Sequence, residues 1–297
     1  MARTGKQAVA EWHSGGQWVT VPQGRVFVRA TEGTEGRGPR LVFLHGYPSS
    51  GYDFRGVLDR LAGRATLTLD FPGFGLSDKP RPHGYTLFEH ADVVEWVLAR
   101  YSEEPVYLVA HDMGTSVATE LMARDRDGEL GFDLSGVVLS NGGIIIERAS
   151  LRPAQRALLS PLGPLVARLT NRPMFVRQFG RLFSAEHPLG RTEAEAQWAL
   201  LARQNGHRIL HLLCRYVRER AVYAHRWHGA IRHWDQPVSF LWGLQDPVAT
   251  TDVLAGLRQL RPSAPVVELP ELGHYPQIEA PEVVAEAVLW LIGHPEG

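Results

Sequence analysis

Cysteine and long apolar runs are scarce in this 297-residue sequence, and each absence excludes a class of protein. The single cysteine, Cys214, rules out an intrachain disulfide and any zinc site built on several cysteines. No run of about 18 apolar residues is present, so we expect neither a membrane-spanning helix nor stable membrane insertion. The opening MARTGKQAVAEWHSGGQWV lacks the apolar centre of a secretory signal, so we expect a cytoplasmic protein.

Lysine is also rare, with two residues against 29 arginines, and the arginines are unevenly distributed. Residues 142–234 contain 15 arginines and five glutamates but no lysine or aspartate, which gives them a formal charge of +10. The whole chain carries −1, so the remainder carries −11. This shift marks a separate module, although a solvated helix face explains the arginines more simply than an anion site. The acidic remainder argues against nucleic-acid binding.

Strand and helix patterns alternate before this module and resume after it. Apolar, strand-like runs occur at LVFLHG, ATLTLDF, VYLVAHD, LSGVVLS, VSFLWG and PVVELP, separated by helical patterns such as TLFEHADVVEWVLARY. Thr86 and Glu89 have the spacing of a capping box at the start of that helix. The alternation predicts an α/β protein with a mostly parallel sheet flanked by helices, formed by residues 1–143 and 235–297. Residues 144–234 are predicted to form an inserted helical cap over the carboxyl ends of the strands.

An aspartate lies at the tip of a predicted strand-to-helix turn, in VAHDMGTSVA. A tight turn of this kind needs small residues on both sides of its tip, and Ala110 and Gly114 satisfy that need around Asp112. The start of the following helix provides N–H groups and a positive dipole end, which favour an ionised carboxylate. A nucleophile and a simple helix N-cap both fit these five residues.

Two later residues favour the nucleophile. Asp246 follows the strand VSFLWG, and His274 lies in a loop after the strand PVVELP. The chain order is therefore nucleophile, acid and histidine, each at the carboxyl end of a strand. A fourth segment, His45-Gly46-Tyr47-Pro48, follows the first central strand. There the N–H of Tyr47, together with the N–H of Met113, is expected to form an oxyanion hole.

The motifs HGYP, DFPGFGLSD, HDMG and GHYPQIEAPE, together with Asp246, resemble the α/β-hydrolase superfamily over nearly the whole chain. Within it they are similar to the aspartate-nucleophile branch of epoxide hydrolases and haloalkane or haloacetate dehalogenases. LSNGGI, DKPRPHGY and HYPQIE also resemble the mesoderm-specific transcript proteins of the same superfamily. The resemblance implies the α/β-hydrolase fold with Asp112 as nucleophile, His274 as the base that activates water, and Asp246 as its orienting acid.

The residues around the predicted nucleophile favour one activity within this branch. Haloalkane dehalogenases typically place tryptophan after the nucleophile and often asparagine in the HG loop, where this chain has Met113 and Tyr47. Epoxide hydrolases use cap tyrosines to protonate the opening oxygen, and Tyr216 matches the second of these by context. Phe175 and Phe179 lie where the first is expected, so this chain departs from the two-tyrosine pattern.

We therefore predict an epoxide hydrolase that forms a vicinal diol through an aspartyl ester, with Tyr216 as ring-opening proton donor. Haloalkane or haloacid dehalogenation is the alternative, and a slow or non-catalytic ligand receptor is the second alternative. The expected partners are a small, largely apolar epoxide and water, with a homodimer left open and no metal or organic cofactor. Eight residues are expected to line the substrate pocket: His45, Pro48, His111, Phe175, Phe179, Tyr223, Val248 and Tyr275.

Overall fold

A single sheet runs through the molecule in the computed structural model, which describes residues 4–34, 38–101 and 104–295. The strand order in these ranges is β1-β2-β4-β3-β5-β6-β7-β8. Strands β1 and β2 form an antiparallel hairpin, β2 is antiparallel to β4, and the other neighbouring strands are parallel. This confirms the predicted mostly parallel sheet. The strands are β1 (Gln17–Val21), β2 (Gly24–Thr31), β3 (Arg40–Leu44), β4 (Thr66–Leu69), β5 (Val106–His111), β6 (Leu134–Ser140), β7 (Val238–Gly243) and β8 (Val266–Leu269).

Helices cover the sheet and fill the interval between β6 and β7. In the described ranges they are α1 (Gly5–Ser14), α2 (Arg55–Arg60), α3 (Leu87–Tyr101), α4 (Met113–Arg126), α5 (Pro153–Leu159), α6 (Gly163–Leu169), α7 (Arg172–Phe179), α8 (Arg191–Ala202), α9 (Leu210–Leu213), α10 (Tyr216–Val222), α11 (Ala224–His233), α12 (Thr251–Leu260), α13 (Pro276–Glu279) and α14 (Pro281–Gly293). Short 3-10 segments span Gly51–Phe54, Ile146–Arg148, Gly180–Leu182 and Arg203–Ile209. No helix among the described residues is both long and apolar enough to cross a membrane.

The central strands are buried on both faces, which explains why their sequences are continuously apolar. All residues of β3 and β5 are buried. Successive side chains of β3 alternate between two cores: Leu41 and Phe43 belong to the core that contains side chains of α2 and α14. Val42 and Leu44 belong to the core that contains side chains of α3 and α4. The sheet therefore holds its carboxyl ends in fixed positions for the loops that follow.

The predicted capping box is present at the start of α3. The Thr86 N–H and hydroxyl donate to the Glu89 carboxylate at 2.8 and 3.1 Å, and the Glu89 N–H donates back to the Thr86 hydroxyl oxygen at 3.1 Å. This reciprocal pair satisfies N–H groups that have no partner within the helix.

We call the helical segment between β6 and β7 the cap, and the rest of the described chain the body. The cap does not lie entirely over the edge of the sheet. Its last helix, α11, packs against α4 of the body. Trp227 Nε1 and Arg226 Nε donate to the Glu120 carboxylate at 3.0 and 2.9 Å. The predicted limits of 144 and 234 remain a prediction, but α11 is attached to the body rather than to the cavity.

Helix α1 was not anticipated from the sequence. It begins with a capping box between Thr4 and Gln7 and packs on α8 of the cap. A Cβ on Gly5 would lie 2.4 Å from Glu195 Cβ, so this glycine permits the close contact. The segment is short and its partner is about 190 residues away in the chain, which no local pattern reveals.

Candidate active site

Asp112 lies at a strained turn between β5 and α4. Its φ of 44° and ψ of −109° are values that residues other than glycine rarely adopt. Small neighbours make the turn possible: a Cβ on Gly114 would lie 2.4 Å from the Leu44 carbonyl oxygen, and one on Gly46 would lie 2.6 Å from Asp112 Cβ. Asp112 occupies the N-cap position of α4, but its side chain makes no capping hydrogen bond. The carboxylate is therefore free for another role.

The loop after β3 contacts this carboxylate. The Tyr47 N–H donates to Asp112 Oδ2 at 3.0 Å. The N–H of Met113 is the first of α4, where N–H groups have no acceptor within the helix. Its part in an oxyanion hole stays a prediction, as does that of Tyr47. The geometry leaves Asp112 with one oxygen held by the backbone and one oxygen directed elsewhere.

Asp246 and His274 form a buried pair after β7 and β8. His274 Nδ1 lies 2.7 Å from Asp246 Oδ2, which fixes the ring and leaves Nε2 available to another group. Asn141 Nδ2 also donates to Asp246 Oδ2 at 2.8 Å, and the Val248 N–H donates to Asp246 Oδ1 at 2.6 Å. Asn141, in the sequence LSNGG, is a contributor that sequence reasoning missed.

Charge and burial act in opposite directions on this pair. Burial disfavours the ionised form of Asp246, but His274 and the hydrogen bonds from Asn141 and Val248 outweigh burial and hold its pKa below the usual value. Burial also disfavours the charged form of His274, but Asp246 and Asp112 hold the pKa of this histidine above its usual value. His274 is thus a stronger base than an isolated buried imidazole.

The cap holds the histidine loop in place. The His274 N–H donates to the Leu182 carbonyl at 2.9 Å. Glu279 accepts hydrogen bonds from the N–H groups of Gly273, Ser184 and Tyr275 at 2.8, 3.0 and 3.1 Å. Since Leu182 and Ser184 belong to the cap, the position of His274 depends on both parts of the chain.

A cavity of about 370 Å³ separates the body from the cap, and Asp112 and His274 both face it. Of the predicted pocket residues, Pro48, Phe175, Phe179 and Val248 lie on its wall, together with Tyr47. The wall is mostly apolar. Sequence reasoning missed several cap residues that line it, among them Arg152, Gln155, Leu158, Thr170, Met174, Gln178, Arg181 and Leu210.

Three predicted pocket residues are buried behind the site instead. His45 accepts from the Phe71 N–H through Nε2 and donates to its neighbour's carbonyl through Nδ1, so its ring supports the loop. His111 Nε2 lies 2.6 Å from the His274 carbonyl and must donate to it. The Tyr275 hydroxyl donates to the Tyr47 carbonyl at 3.1 Å. Burial lowers the pKa of His45 to about 3 and of His111 to about 4, so both rings are neutral.

Tyr223 requires a larger correction. Helix α10 ends at Val222, so Tyr223 does not continue the helical face of Tyr216. It is 38% exposed and packs against Phe88 and Trp227, away from the cavity wall. One uninterrupted helix would place Tyr223, seven residues after Tyr216, on the same face, but the break before α11 separates the two side chains.

Tyr216 is buried beside Tyr47, in the loop after β3. Its ring centroid lies 5.7 Å from that of Tyr47, and its hydroxyl oxygen is 3.4 Å from Nε2 of Gln155, which lines the cavity. Burial raises the pKa of Tyr216 well above its usual value; the charge of Asp112 adds to the rise and the charge of Arg220 opposes it. The hydroxyl is therefore protonated, but Tyr216 lies behind the residues that line the cavity and is connected to the wall through Gln155.

Arg220 was missed by the sequence analysis. It is 2% exposed, and its guanidinium donates to the Asp112 carbonyl at 2.7 Å and to the Ser116 hydroxyl at 2.8 Å. Its Nη2 lies 3.6 Å from Asp112 Oδ1, and its Cζ lies 4.7 Å from the centre of the Tyr216 ring. The available signal was its spacing of four residues from Tyr216 on one helix, which puts both side chains on one face.

In the part of the chain that the structure describes, no three His, Cys, Asp or Glu side chains converge where they could hold a metal ion.

Comparison with known proteins identifies the family of this chain. The family model described as the alpha/beta hydrolase fold matches residues 39–281, and the chain belongs to this family. The "Putative hydrolase LipZ" of Mycobacterium tuberculosis is 59% identical, with 96% of this chain and 98% of that protein covered. The mesoderm-specific transcript homolog protein of Homo sapiens is 33% identical, covering 92% and 84%. The crystal structure of haloalkane dehalogenase DbeA from Bradyrhizobium elkani has a TM-score of 0.78 at 22% identity, covering 94% and 97%. The protein is a hydrolase of the α/β-hydrolase fold.

Proposed function

We propose that this hydrolase opens an epoxide to a vicinal diol through a covalent ester on Asp112. The observation that carries the proposal is the carboxylate at the strained turn, with Oδ2 held by the Tyr47 N–H and the side chain facing a largely apolar cavity beside His274. With a carboxylate nucleophile the enzyme supplies the acyl group and the substrate supplies an alkyl carbon. This suits attack on a strained ring and suits ordinary ester cleavage poorly.

In the first step Asp112 Oδ1 attacks a ring carbon and the carbon–oxygen bond of the epoxide breaks. The electron pair of that bond moves to the ring oxygen, which receives a proton from the Tyr216 hydroxyl. The negative charge therefore leaves Asp112 and ends on the Tyr216 phenolate. The apolar wall excludes water from this transfer, which strengthens the electrostatic interactions within the site.

The charge of Arg220 favours this transfer of negative charge from Asp112 to Tyr216. Its two close hydrogen bonds go to neutral oxygens, so its cation remains in place when Asp112 becomes an ester. Esterification removes the charge of Asp112, which raises the pKa of Tyr216, and retains the charge of Arg220, which lowers it. Tyr216 thus becomes a stronger acid as the ring oxygen becomes a stronger base, and the fixed cation stabilises the developing anion.

In the second step His274, oriented by Asp246, takes a proton from water, and the resulting hydroxide attacks the carbonyl carbon of the Asp112 ester. The N–H groups of Tyr47 and Met113 stabilise the oxyanion. Collapse of this intermediate breaks the bond to the glycol oxygen, which receives the proton held by His274. Collapse leaves Asp112 as a carboxylic acid, and its proton passes to the Tyr216 phenolate through solvent, so that Asp112 is again a carboxylate and Tyr216 again a phenol.

The most direct test incubates the protein separately with styrene oxide and with a bromoalkane, measuring diol and halide. We expect diol and little halide, because the residues at positions 47 and 113 have no side-chain N–H to hold a departing halide. Halide release without diol would replace the proposal with dehalogenation. The absence of both products across a panel of epoxides and haloalkanes would favour a ligand receptor.

A further inference from the structure

Helix α6 of the cap turns an apolar face to solvent. Leu162, Leu165 and Leu169 are 65%, 52% and 61% exposed. Their spacing of three and four residues places them within about 60° of one another around the helix. Met174 on α7 is 42% exposed. We call these four residues the cap apolar face, and contiguous exposed leucines of this kind usually mark a contact surface.

The cap apolar face continues into the catalytic cavity. Val166, which follows Leu165, lines the cavity, and so does Thr170, which follows Leu169. Met174 belongs to both the exposed face and the cavity wall. The exposed face and the wall of the cavity that contains Asp112 therefore meet at Met174.

Exposed arginines surround the cap apolar face. Arg168 lies on α6, Arg177 lies one helical turn from Met174 on α7, and Arg181 follows at the cavity wall. All three are exposed, and none of them forms an ion pair with the residues that the structure describes. Arginine side chains beside exposed leucines form an amphipathic surface, and amphipathic surfaces of this composition lie at lipid interfaces.

The cap is positively charged and the rest of the molecule is negatively charged, which adds to the effect of the exposed arginines. Residues 142–234 carry a formal charge of +10, while the remainder carries −11. An anionic surface attracts the cap and repels the body, so it orients the molecule with the cavity wall towards it.

We propose that the cap apolar face docks reversibly on the surface of an anionic lipid membrane, so that lipophilic substrates enter the cavity directly from the bilayer. The leucines enter the interfacial region while Arg168 and Arg177 contact lipid phosphates. The contact is peripheral and needs no spanning segment. It does not depend on whether the enzyme opens epoxides or releases halide, because it concerns only the route to the cavity.

A lipid surface fits these features better than a second copy of the chain. The acidic body of another copy would attract the arginines, but it would leave the leucines against a charged surface. A bilayer provides both anionic headgroups and an apolar layer beneath them, so the arginines can contact the headgroups while the leucines contact the apolar layer.

The test measures flotation of the full-length protein with vesicles of phosphatidylcholine alone or with about one third phosphatidylglycerol. We expect binding to the anionic vesicles at least about fivefold greater, and loss of most of it in high salt. The double variant Leu165→Ser/Leu169→Ser should reduce binding by about tenfold, and Arg168→Gln/Arg177→Gln by a similar factor. Leu289→Ser, on the body helix α14 and 40% exposed, is the matched control and should bind as the wild type does.

Thermal unfolding of each variant should be unchanged, since the substituted side chains are exposed, and this separates loss of docking from loss of fold. Equal binding to neutral and anionic vesicles, or unaltered binding by both double variants, would overturn the proposal. So would a dimer in sedimentation that Leu165→Ser/Leu169→Ser converts to monomer, because the face would then be covered by a second copy.

Discussion

The body and the cap contribute to the same site in different ways. The body supplies Asp112, Asp246 and His274 from the ends of three strands, each held by backbone or side-chain hydrogen bonds. The cap supplies Tyr216 and Arg220 from one short helix, together with most of the cavity wall. In the proposed mechanism the body therefore fixes the nucleophile and the base, whereas the cap adjusts charge and admits substrate.

Substitution of Asp112, the proposed nucleophile, tests the contribution of the body and should lower turnover more than any other change. Asp112→Ala should lower turnover by about 10⁴-fold or more, because Asp112 is the only carboxylate among the described residues that line the cavity. Steady-state diol formation measures this. Asp59→Ala, at an exposed position of α2, is the matched control and should retain full activity. An Asp112→Ala enzyme with substantial activity would remove the covalent mechanism.

Arg220 tests the electrostatic contribution of the cap. Arg220→Gln should slow ester formation by about 10²-fold, since a fixed cation beside the developing anion is lost. Arg220→Lys should recover part of the rate, and Arg215→Gln, an exposed arginine one turn away, should have no effect. Rapid-quench measurement of the ester isolates this step. If Arg220→Gln changes only thermal stability and not the rate, the arginine merely joins the cap to the body.

Tyr216 and Tyr223 separate two tyrosines of the cap. Tyr216→Phe keeps the ring that packs on Tyr47 but removes the hydroxyl, and should lower epoxide opening by about 10-fold to 100-fold. Tyr223→Phe should be neutral, because that side chain packs on Phe88 outside the cavity. Diol formation with styrene oxide measures both. Equal effects of the two substitutions would contradict the assignment of the proton donor.

Asp53 tests the contact between the two regions through pH and should have the smallest effect. Its carboxyl oxygen accepts from Gln197 of the cap at 2.7 Å, and burial raises its pKa to about 7. The pKa of Asp53 is higher in the folded than in the unfolded protein, so the protonated carboxyl stabilises the fold. This contribution is present at about pH 4 and is lost as pH rises through about 7. Asp53→Asn keeps the oxygen that accepts from Gln197. Between pH 5 and pH 8, the free energy of unfolding of this variant should rise by at least about 1 kcal/mol relative to that of the wild type.

Thermal unfolding at the two pH values measures this difference. Asp59→Asn, which is exposed, should show no comparable change. A pH-independent effect of Asp53→Asn would show that Asp53 is ionised in the folded protein throughout this range.

The body could be predicted from the sequence because its signals are local. Strand periodicity, the small residues around Asp112 and the aspartate after β7 each occupy a few consecutive positions, and the parallel sheet brings them together. The backbone contact from Tyr47 to Asp112 is fixed in the same way, by two neighbouring strands. The support that Asn141 gives to Asp246 was missed, since it joins residues 105 positions apart.

The cap was harder to predict because its helices are short and their ends decide which side chains face the site. One helix break before α11 moved Tyr223 away from the cavity. Arg220 reaches Asp112 across 108 positions, and the excess of arginine made it look like one more solvated cation. The predicted pocket histidines, His45 and His111, are instead buried supports of loops.

The covalent ester on Asp112 is the central claim, and its capture tests the claim most directly. His274→Gln retains the nucleophile and the cap residues but cannot activate water, so the ester should form and persist. After incubation with an epoxide that the wild-type enzyme converts, mass spectrometry should find the substrate mass added to the peptide that contains Asp112. An unmodified Asp112 peptide, with substrate confirmed to bind, would contradict the mechanism.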